Sequence, residues 1–409
     1  MMNPARWKKP PNARKKTWNG EKLRYGCKSI PQIHTTNLTV EKVKVLWYTN
    51  AESNNLWDGE VAVFEIPIGI DEKKIQKEIN DMLSEARQNA KPEKCILCGE
   101  AQTSFCNSHS VPKMSLKAIA DNGMLLHATA AIGLNMEVVH LEDGVNRSGT
   151  FNYICRKCDS SFFQDYENPN LLIAFPSDKM LAKIAVKNFL LQLSKRAVES
   201  QLIPIQQREY NLFTNPQDSL DLKKMDFNEY ETELYFHKNI ADQNETGGYQ
   251  LLYWELLPYC VPIATQSAIA LPKDMSGASI NNIYDYRETI RMQYLHIGVF
   301  PLKQQSVILL FYHKRDKLYR NLRHQFNSSS KEKVLQFINY LIFAYTENFF
   351  LSPKLREEVE ANRKLQMLCR ENNGLPEFGL LSANNGFGLD YTPISPAEVP
   401  NFLSPDWAL

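Results

Sequence analysis

Two pairs of cysteines share the spacing of a metal-binding turn. They are Cys95 and Cys98, in CILCG, and Cys155 and Cys158, in YICRKCD. Zinc in a structural site takes four ligands at the corners of a tetrahedron, and one CxxC turn supplies two of them. Two such turns in one chain are a strong zinc signal. We therefore expect these four thiolates to hold one structural zinc ion.

A second set of ligands lies closer to the first turn in the sequence. Cys106 and His109 would extend Cys95 and Cys98 to a C-x2-C-x7-C-x2-H string. This local set would leave the second CxxC turn without a metal, so the paired set is favoured. If the paired set holds the zinc, His109 is available for another role and Cys106 becomes a small buried residue.

A histidine that does not bind zinc can carry chemistry of its own. His109 lies in NSHSVPKMSL, shortly after the first turn. A neutral imidazole titrates near neutral pH, so it can take a proton from an attacking water. A hard divalent cation such as magnesium prefers oxygen ligands and stabilises the negative charge that develops on a phosphate. A base beside such a cation is suited to hydrolysing phosphodiesters.

The segment 95–168 resembles the HNH endonuclease family. The resemblance rests on CILCG, NSHSVPKMSL, YICRKCD and FFQDYEN, and it covers about a fifth of the chain. In that family a strand carries the leading histidine, and two CxxC turns hold a structural zinc. The resemblance implies a small treble-clef or ββα-metal-like module that hydrolyses nucleic acid. It also implies a catalytic magnesium or manganese ion separate from the zinc.

The resemblance also assigns roles to four residues. His109 would be the general base. Asp159, directly after the second CxxC turn, would orient the imidazole or bind the divalent cation. Asp165 and Glu167 are the candidates for the last metal ligand. Family members commonly have a histidine in that last motif, whereas this sequence has none between residues 140 and 237.

The same residues permit a function of a different class, a non-catalytic zinc module that binds nucleic acid or a protein partner. His109 would then order the zinc turn. Asp159 and Glu167 would be acidic residues at a helix start, where the helix dipole favours them. Arg156 and Lys157, inside the second turn, are weak candidates for phosphate contacts. DNA is expected ahead of RNA, and a setting in phage defence or mobile elements is an analogy at the level of the fold.

The composition is that of an ordinary globular protein. The chain has 409 residues, 43% of them hydrophobic, and a formal net charge of +1. No global basic field therefore indicates nucleic-acid binding, and a local patch must supply it. The sequence has no apolar run of about 18 residues, so no membrane span is expected. The N-terminus lacks the apolar core of a signal peptide. We expect a cytoplasmic protein whose cysteines are thiols or metal ligands.

The elements that must position these residues indicate an α+β fold. Helices are predicted at 71–88, 177–200 and 330–349, and strands at 60–70, 248–264, 294–302 and 306–314. A hairpin is predicted within 127–149, while no helix or strand is predicted in the polar region 205–240.

The chain divides by composition into five segments. They are a basic, disordered arm at 1–28, an α+β segment at 29–90, the zinc module at 91–170, a C-terminal α+β domain at 171–374 and a loop-like tail at 375–409. The C-terminal domain carries no phosphate loop and no nucleophile elbow. Its aromatic residues indicate a large core, or a surface for nucleic acid, a partner protein or a second copy of the chain.

Overall fold

The computed structural model describes residues 42–47, 62–67, 72–127, 141–210, 215–283, 285, 287, 289–372 and 394–409. The basic arm predicted at 1–28 lies outside these residues. The described residues all belong to one compact unit that combines helices with sheet. The predicted α+β class is confirmed at this level.

The described residues contain eleven α-helices. They are α1 (Glu72–Asn89), α2 (Lys113–Ile119), α3 (Arg156–Phe162), α4 (Gln164–Glu167), α5 (Pro169–Leu172), α6 (Asp178–Tyr210), α7 (Pro216–Gln243), α8 (Arg320–Ser328), α9 (Lys331–Tyr345), α10 (Arg356–Ala361) and α11 (Arg363–Asn372). The first predicted helix is confirmed as α1. The last is confirmed as α9, but it ends at Tyr345, and Phe349 begins a strand. The helix predicted at 177–200 continues ten residues further as α6, and the polar region after it is largely helical as α7.

The described strands number eleven and form three sheets. They are β1 (Lys42–Trp47), β2 (Ala62–Pro67), β3 (Ser108–His109), β4 (Met124–His127), β5 (Leu141–Gly144), β6 (Thr150–Phe151), β7 (Tyr249–Leu257), β8 (Ile263–Ile269), β9 (Leu295–Pro301), β10 (Ser306–His313) and β11 (Phe349–Leu351). The large sheet is antiparallel, with the order β5-β4-β11-β8-β9-β10-β7, and β1–β2 and β3–β6 form two small sheets. The strands predicted at 60–70, 294–302 and 306–314 are confirmed as β2, β9 and β10, and the run 248–264 holds β7 and the start of β8.

Helices cover both faces of the large sheet, as strand β10 shows. Ile308 and Leu310 belong to the core cluster that contains α9. Val307, Leu309 and Phe311 belong to the cluster that contains α6 and α7. Because successive side chains of a strand point to opposite faces, both faces must be apolar here. This burial explains why β9 is mostly apolar and why β10 is an apolar run from Val307 to Tyr312.

The segment between the two CxxC turns contributes to two sheets. β3 pairs with β6, whereas β4 and β5 join the edge of the large sheet through β11. The hairpin predicted within 127–149 corresponds to the β4–β5 pair, which begins earlier, at Met124, and residues 128–140 lie outside the described residues. The hydroxyl of Ser110 also donates to Asn348 Oδ1 at 2.7 Å. Strand pairing and this buried hydrogen bond thus tie the cysteine-bearing segment to the large sheet.

The tail predicted as loop-like is described from residue 394 onward. It forms two 3₁₀ turns, Pro396–Glu398 and Pro405–Trp407. Between them Phe402 is fully buried in the core cluster that contains α9. This part of the tail therefore belongs to the packed core, because Ile394, Val399, Phe402 and Leu403 are all buried in that cluster.

Candidate metal centre and catalytic cluster

The cysteines of the two CxxC turns form one cluster. The Sγ atoms of Cys95, Cys98, Cys155 and Cys158 lie within 4.8 Å of one another. The Sγ atoms of Cys98 and Cys155 are 4.0 Å apart. Zinc–sulfur bonds of about 2.3 Å in a tetrahedron place the sulfur atoms about 3.8 Å apart. The cluster therefore fits one zinc ion, and four thiolates would leave that ion no open position for chemistry.

Backbone hydrogen bonds shape both turns. In the first turn, the amide of Cys95 donates to Glu100 O at 2.9 Å and the amide of Gly99 donates to Cys95 O at 2.7 Å. Gly99 has a φ of +72°, a conformation that glycine adopts without strain. In the second turn, Cys155 caps α3, and its Sγ accepts from the amide of Cys158 at 3.4 Å. The amide of Cys155 itself donates to Cys95 Sγ at 3.3 Å, which joins the two turns.

These amides favour the thiolate form of one ligand. Burial alone would raise the pKa of Cys95, but hydrogen bonds from three backbone amides lower that pKa to about 7. The thiolate is the form that binds metal. Burial raises the pKa of Cys158, so Cys95 is the ligand whose thiolate form the backbone favours.

The local ligand set is not formed. The thiol of Cys106 donates to Ile154 O at 3.3 Å. Across the part of the chain that the structure describes, the four clustered cysteines are the one group that gathers enough ligand atoms to hold a metal ion. The paired set is thus the one the fold assembles, and His109 lies outside it.

A single hydrogen bond fixes the ring of His109. Its Nε2 lies 2.9 Å from Val145 O. A carbonyl oxygen only accepts, so Nε2 carries the hydrogen and Nδ1 of the neutral ring remains an acceptor. Burial lowers the pKa of His109, the bond to Val145 opposes that effect, and the charges of Lys113 and Lys187 lower the pKa further. The half-buried ring is therefore neutral at pH 7.

Asp159 and Glu167 converge on one ammonium group. Lys187 Nζ lies 3.1 Å from Asp159 Oδ1 and 3.2 Å from Glu167 Oε1. The hydroxyl of Ser108 accepts from Lys187 Nζ at 2.9 Å and donates to Asp159 Oδ1 at 2.6 Å. The ammonium also lies 3.7 Å from the centre of the Phe163 ring, a cation–π distance. We call Ser108, Asp159, Glu167 and Lys187 the oxygen cluster.

Asp165 is paired separately, with a second lysine of α6. Lys183 Nζ lies 2.7 Å from Asp165 Oδ2. Lys183 and Lys187 are one helical turn apart, so they lie on the same face of α6. The three carboxylates that the HNH resemblance makes candidates for binding a divalent cation are thus all paired with ammonium groups. In this arrangement the residues do not fit a magnesium or manganese ion.

His109 and the oxygen cluster approach β3 from opposite sides. Ser108 and His109 are consecutive residues of β3, so their side chains point to opposite faces of the strand. Ser108 contacts Asp159, whereas His109 contacts Val145, directly after β5. The structure therefore brings Asp159 and Glu167 together on Lys187, leaves Asp165 on Lys183, and gives the predicted base a separate partner. Their charges still interact, because Asp159 and Lys187 both affect the pKa of His109.

The two basic residues predicted as weak candidates for phosphate contacts lie at the surface. Arg156 and Lys157 begin α3 and are exposed, so phosphate groups can reach them.

Sequence reasoning missed two residues of the oxygen cluster, Ser108 and Lys187. Lys187 lies in AKIAVKNFLLQL, and the available signal was a charged residue inside an apolar helical run, where lysine is rare unless it is paired. Ser108 gave no comparable signal, since serine is common in strands and turns.

Comparison of the chain with protein-family models, with curated proteins and with solved structures gives no match. Among the described residues, no helix is both long enough and apolar enough to cross a membrane.

Proposed function

We propose that the chain is an HNH-like endonuclease that hydrolyses phosphodiesters of nucleic acid, with DNA the favoured substrate. The hydrogen bond between His109 Nε2 and Val145 O carries the proposal. It leaves Nδ1 as the acceptor of a neutral, half-buried ring, which is the state that a general base needs. The order of CxxC turn, β3, β6 and α3 also supports the treble-clef or ββα-metal-like arrangement that the resemblance implies.

In the proposed reaction, Nδ1 of His109 takes a proton from water. The water oxygen bonds to phosphorus while the ester P–O bond breaks, and the leaving oxygen takes a proton from solvent. The imidazolium keeps its Nε2–H bond to Val145 O, so the ring does not turn during the transfer. Arg156 and Lys157 would bind the neighbouring phosphates, because exposed basic side chains position nucleic acid without reading its sequence.

Zinc would act through structure in this proposal. When bound, it would join the turn at 95–98 to the start of α3, because a four-thiolate site has no open coordination position. It would thereby hold β3, which carries His109, against the helix that carries Asp159. Metal binding at such a site contributes directly to folding.

A nuclease assay on the purified full chain tests the function. Plasmid, linear DNA and RNA are incubated with wild type, His109→Ala and His324→Ala, with zinc measured in each. His324 is an exposed histidine of α8 and serves as the matched control. We expect His109→Ala to lose cleavage by about 10²–10⁴-fold, the contribution of a positioned base, while zinc and folding are retained. Equal cleavage by His109→Ala, or no cleavage of any substrate by wild type, would refute the proposal.

The lysine pairing favours a second candidate, a zinc module that binds nucleic acid or a protein partner without cutting. Asp159, Asp165 and Glu167 are all engaged by Lys183 or Lys187. Carboxylates held in this way are typical of a structural ion-pair network. The paired lysines thus give this reading a specific observation of its own.

A binding measurement separates the two candidates. Fluorescence anisotropy with labelled DNA and RNA compares wild type with Arg156→Ala/Lys157→Ala and with Lys273→Ala/Lys303→Ala, a pair of exposed lysines elsewhere. Binding that weakens only in the first variant, without cleavage by wild type, would support the non-catalytic module. Unaltered binding in both variants would show that Arg156 and Lys157 of α3 do not contribute to nucleic-acid binding.

A further inference from the structure

The oxygen cluster has the geometry of a cation-binding site in which the ammonium group of Lys187 is the cation. Three oxygen atoms from β3, α3 and α4 surround one nitrogen from α6. Lys187 Nζ lies 2.9 Å from Ser108 Oγ, 3.1 Å from Asp159 Oδ1 and 3.2 Å from Glu167 Oε1. An ammonium group has three N–H donors, and here each donor has one oxygen acceptor.

The ammonium group is fixed in this position. The side chain of Lys187 is 1% exposed, and the Phe163 ring covers it. Moving the buried ammonium away from two carboxylates would leave it without a partner in the interior, which is strongly unfavourable for a charged group. Lys187 also lies within α6, between Val186 and Asn188, which are both buried. No local rearrangement therefore withdraws it from the oxygen atoms.

The same oxygen atoms are the donors that a hard divalent cation prefers. Magnesium and manganese bind carboxylate and hydroxyl oxygens, at distances close to 2 Å for magnesium. A divalent ion bound to Asp159 Oδ1 and Glu167 Oε1 would lie within a few ångströms of the ammonium nitrogen. Repulsion between these cations is strong in a buried site. The ammonium and the divalent ion therefore exclude each other.

We propose that Lys187 is a positioning residue that takes the place of the divalent cation in this site. The inference rests on the proposed function, since it states which cation the nuclease site uses. It replaces the magnesium or manganese ion that the HNH resemblance implies. The positive charge around His109 then comes from two lysines, Lys187 behind β3 and the exposed Lys113 just after the strand. Cleavage should accordingly not depend on an added divalent ion.

The first test measures how cleavage depends on metal. Wild-type protein with one bound zinc is assayed in buffer depleted of other metals by a chelating resin, and again with magnesium or manganese added. We expect the rates to agree within about twofold, apart from the screening that any salt produces. Cleavage that occurs only after magnesium or manganese is added would overturn the inference.

The second test measures manganese binding and needs no activity. Electron paramagnetic resonance counts bound Mn²⁺ in wild type, Lys187→Met, Lys187→Arg and Lys183→Met, each with its zinc content verified. We expect one Mn²⁺ in Lys187→Met and none in the other three. Arginine restores the internal cation, and Lys183 has only one carboxylate partner in its salt bridge. A folded Lys187→Met that binds no Mn²⁺ would contradict the inference.

Wild type alone decides the matter if Lys187→Met does not fold. Mn²⁺ bound by wild type and lost in Asp159→Asn/Glu167→Gln would overturn the inference, whereas equal absence of binding in both would support it. The manganese result is also independent of cleavage. If wild type never cuts nucleic acid but Lys187→Met gains a manganese site, the proposed nuclease function is refuted. The inference that Lys187 occupies the cation position would still stand.

Discussion

Two sites that can hold a positive charge, the cysteine cluster and the oxygen cluster, lie side by side at the start of α3, where Cys158 is followed by Asp159. They are built in opposite ways. The cysteine cluster uses four soft sulfur ligands from two short turns, and its cation must come from solution. The oxygen cluster uses hard oxygen ligands from three elements, and its cation is the side chain of Lys187. The difference teaches that neighbouring residues can serve one centre that local spacing defines and another that only the tertiary fold assembles.

The contrast also separates two ways of stabilising the same region. A zinc ion would contribute binding free energy that disappears when a chelator removes it. The lysine of the oxygen cluster cannot be removed by any chelator, but its burial has to be balanced by the two carboxylates. Each centre therefore fails under a different perturbation, and the predictions below use this.

The largest effect is expected from breaking the cysteine cluster. Cys155→Ser should reduce bound zinc from one equivalent per chain to none, because serine is a poor zinc ligand and the site needs all four thiolates. Structural zinc contributes on the order of 10 kcal/mol to small metal modules, so the segment around β3 and α3 should become sensitive to protease. Zinc content and limited proteolysis measure both outcomes.

Cys106→Ser is the matched control for that experiment. Cys106 is a cysteine of the same segment, but its thiol bonds to Ile154 O and lies outside the cluster. This variant should keep one equivalent of zinc and the protease resistance of wild type. Zinc lost from Cys106→Ser and kept in Cys155→Ser would show that the local ligand set is the correct one.

The cysteine cluster was predictable because the signal is local. Two residues between the cysteines suffice to form a turn that presents two thiolates, so spacing alone carries the information. The strands β9 and β10 were predictable for a similar reason. Their side chains are buried on both faces of the sheet, which forces an apolar run that the sequence displays directly.

The oxygen cluster and α7 were not predictable because their buried residues are polar. Helix α7 buries Lys223, Glu233 and His237 alongside its few apolar residues, so the apolar periodicity that marks a helix is weak. Lys187 is 28 positions from Asp159 in the sequence. Nothing local indicates that α6 will place an ammonium between two carboxylates. Pairing of this kind is decided by tertiary packing, which a single sequence does not display.

The second prediction compares the two lysines of α6. Lys187→Met should lower the free energy of unfolding by about 3–5 kcal/mol, because it leaves two partly buried carboxylates without their shared partner. Lys183→Met should lower it by about 1 kcal/mol, since it leaves only one carboxylate, Asp165, which is 35% exposed and can be hydrated. Urea unfolding of the zinc-bound proteins measures both values. Equal losses would contradict the special position of Lys187.

Manganese sharpens this comparison further. If removal of Lys187 opens a divalent site, Mn²⁺ should raise the unfolding midpoint of Lys187→Met, because a ligand that binds only the folded state stabilises it. The midpoints of wild type and Lys183→Met should not change beyond the general effect of salt. A rise of the same size in all three proteins would assign the effect to the cysteine cluster or to the surface.

The smallest effect concerns a third charged network, which joins α6 to α7 and is not part of the proposed site. Lys223 Nζ lies 2.9 Å from Glu199 Oε2, and Arg196 binds the same oxygen. Burial alone would raise the pKa of Glu199, but the charges of Arg196 and Lys223 hold it down to about 2. The ordinary value in an unfolded chain is about 4.3.

Glu199→Gln should therefore have an effect that depends on pH. A depressed pKa adds stability that is fully present above about pH 4.3 and is lost as the pH falls through about 2. The variant should unfold about 1–2 kcal/mol more easily than wild type at pH 7, and the difference should shrink towards pH 2. Glu245→Gln, an exposed glutamate after α7, should stay within about 0.5 kcal/mol of wild type at every pH. A Glu199→Gln difference that does not change with pH would mean that the side chain acts through packing. Charge pairing would then contribute to stability in the oxygen cluster but not in the network around Glu199.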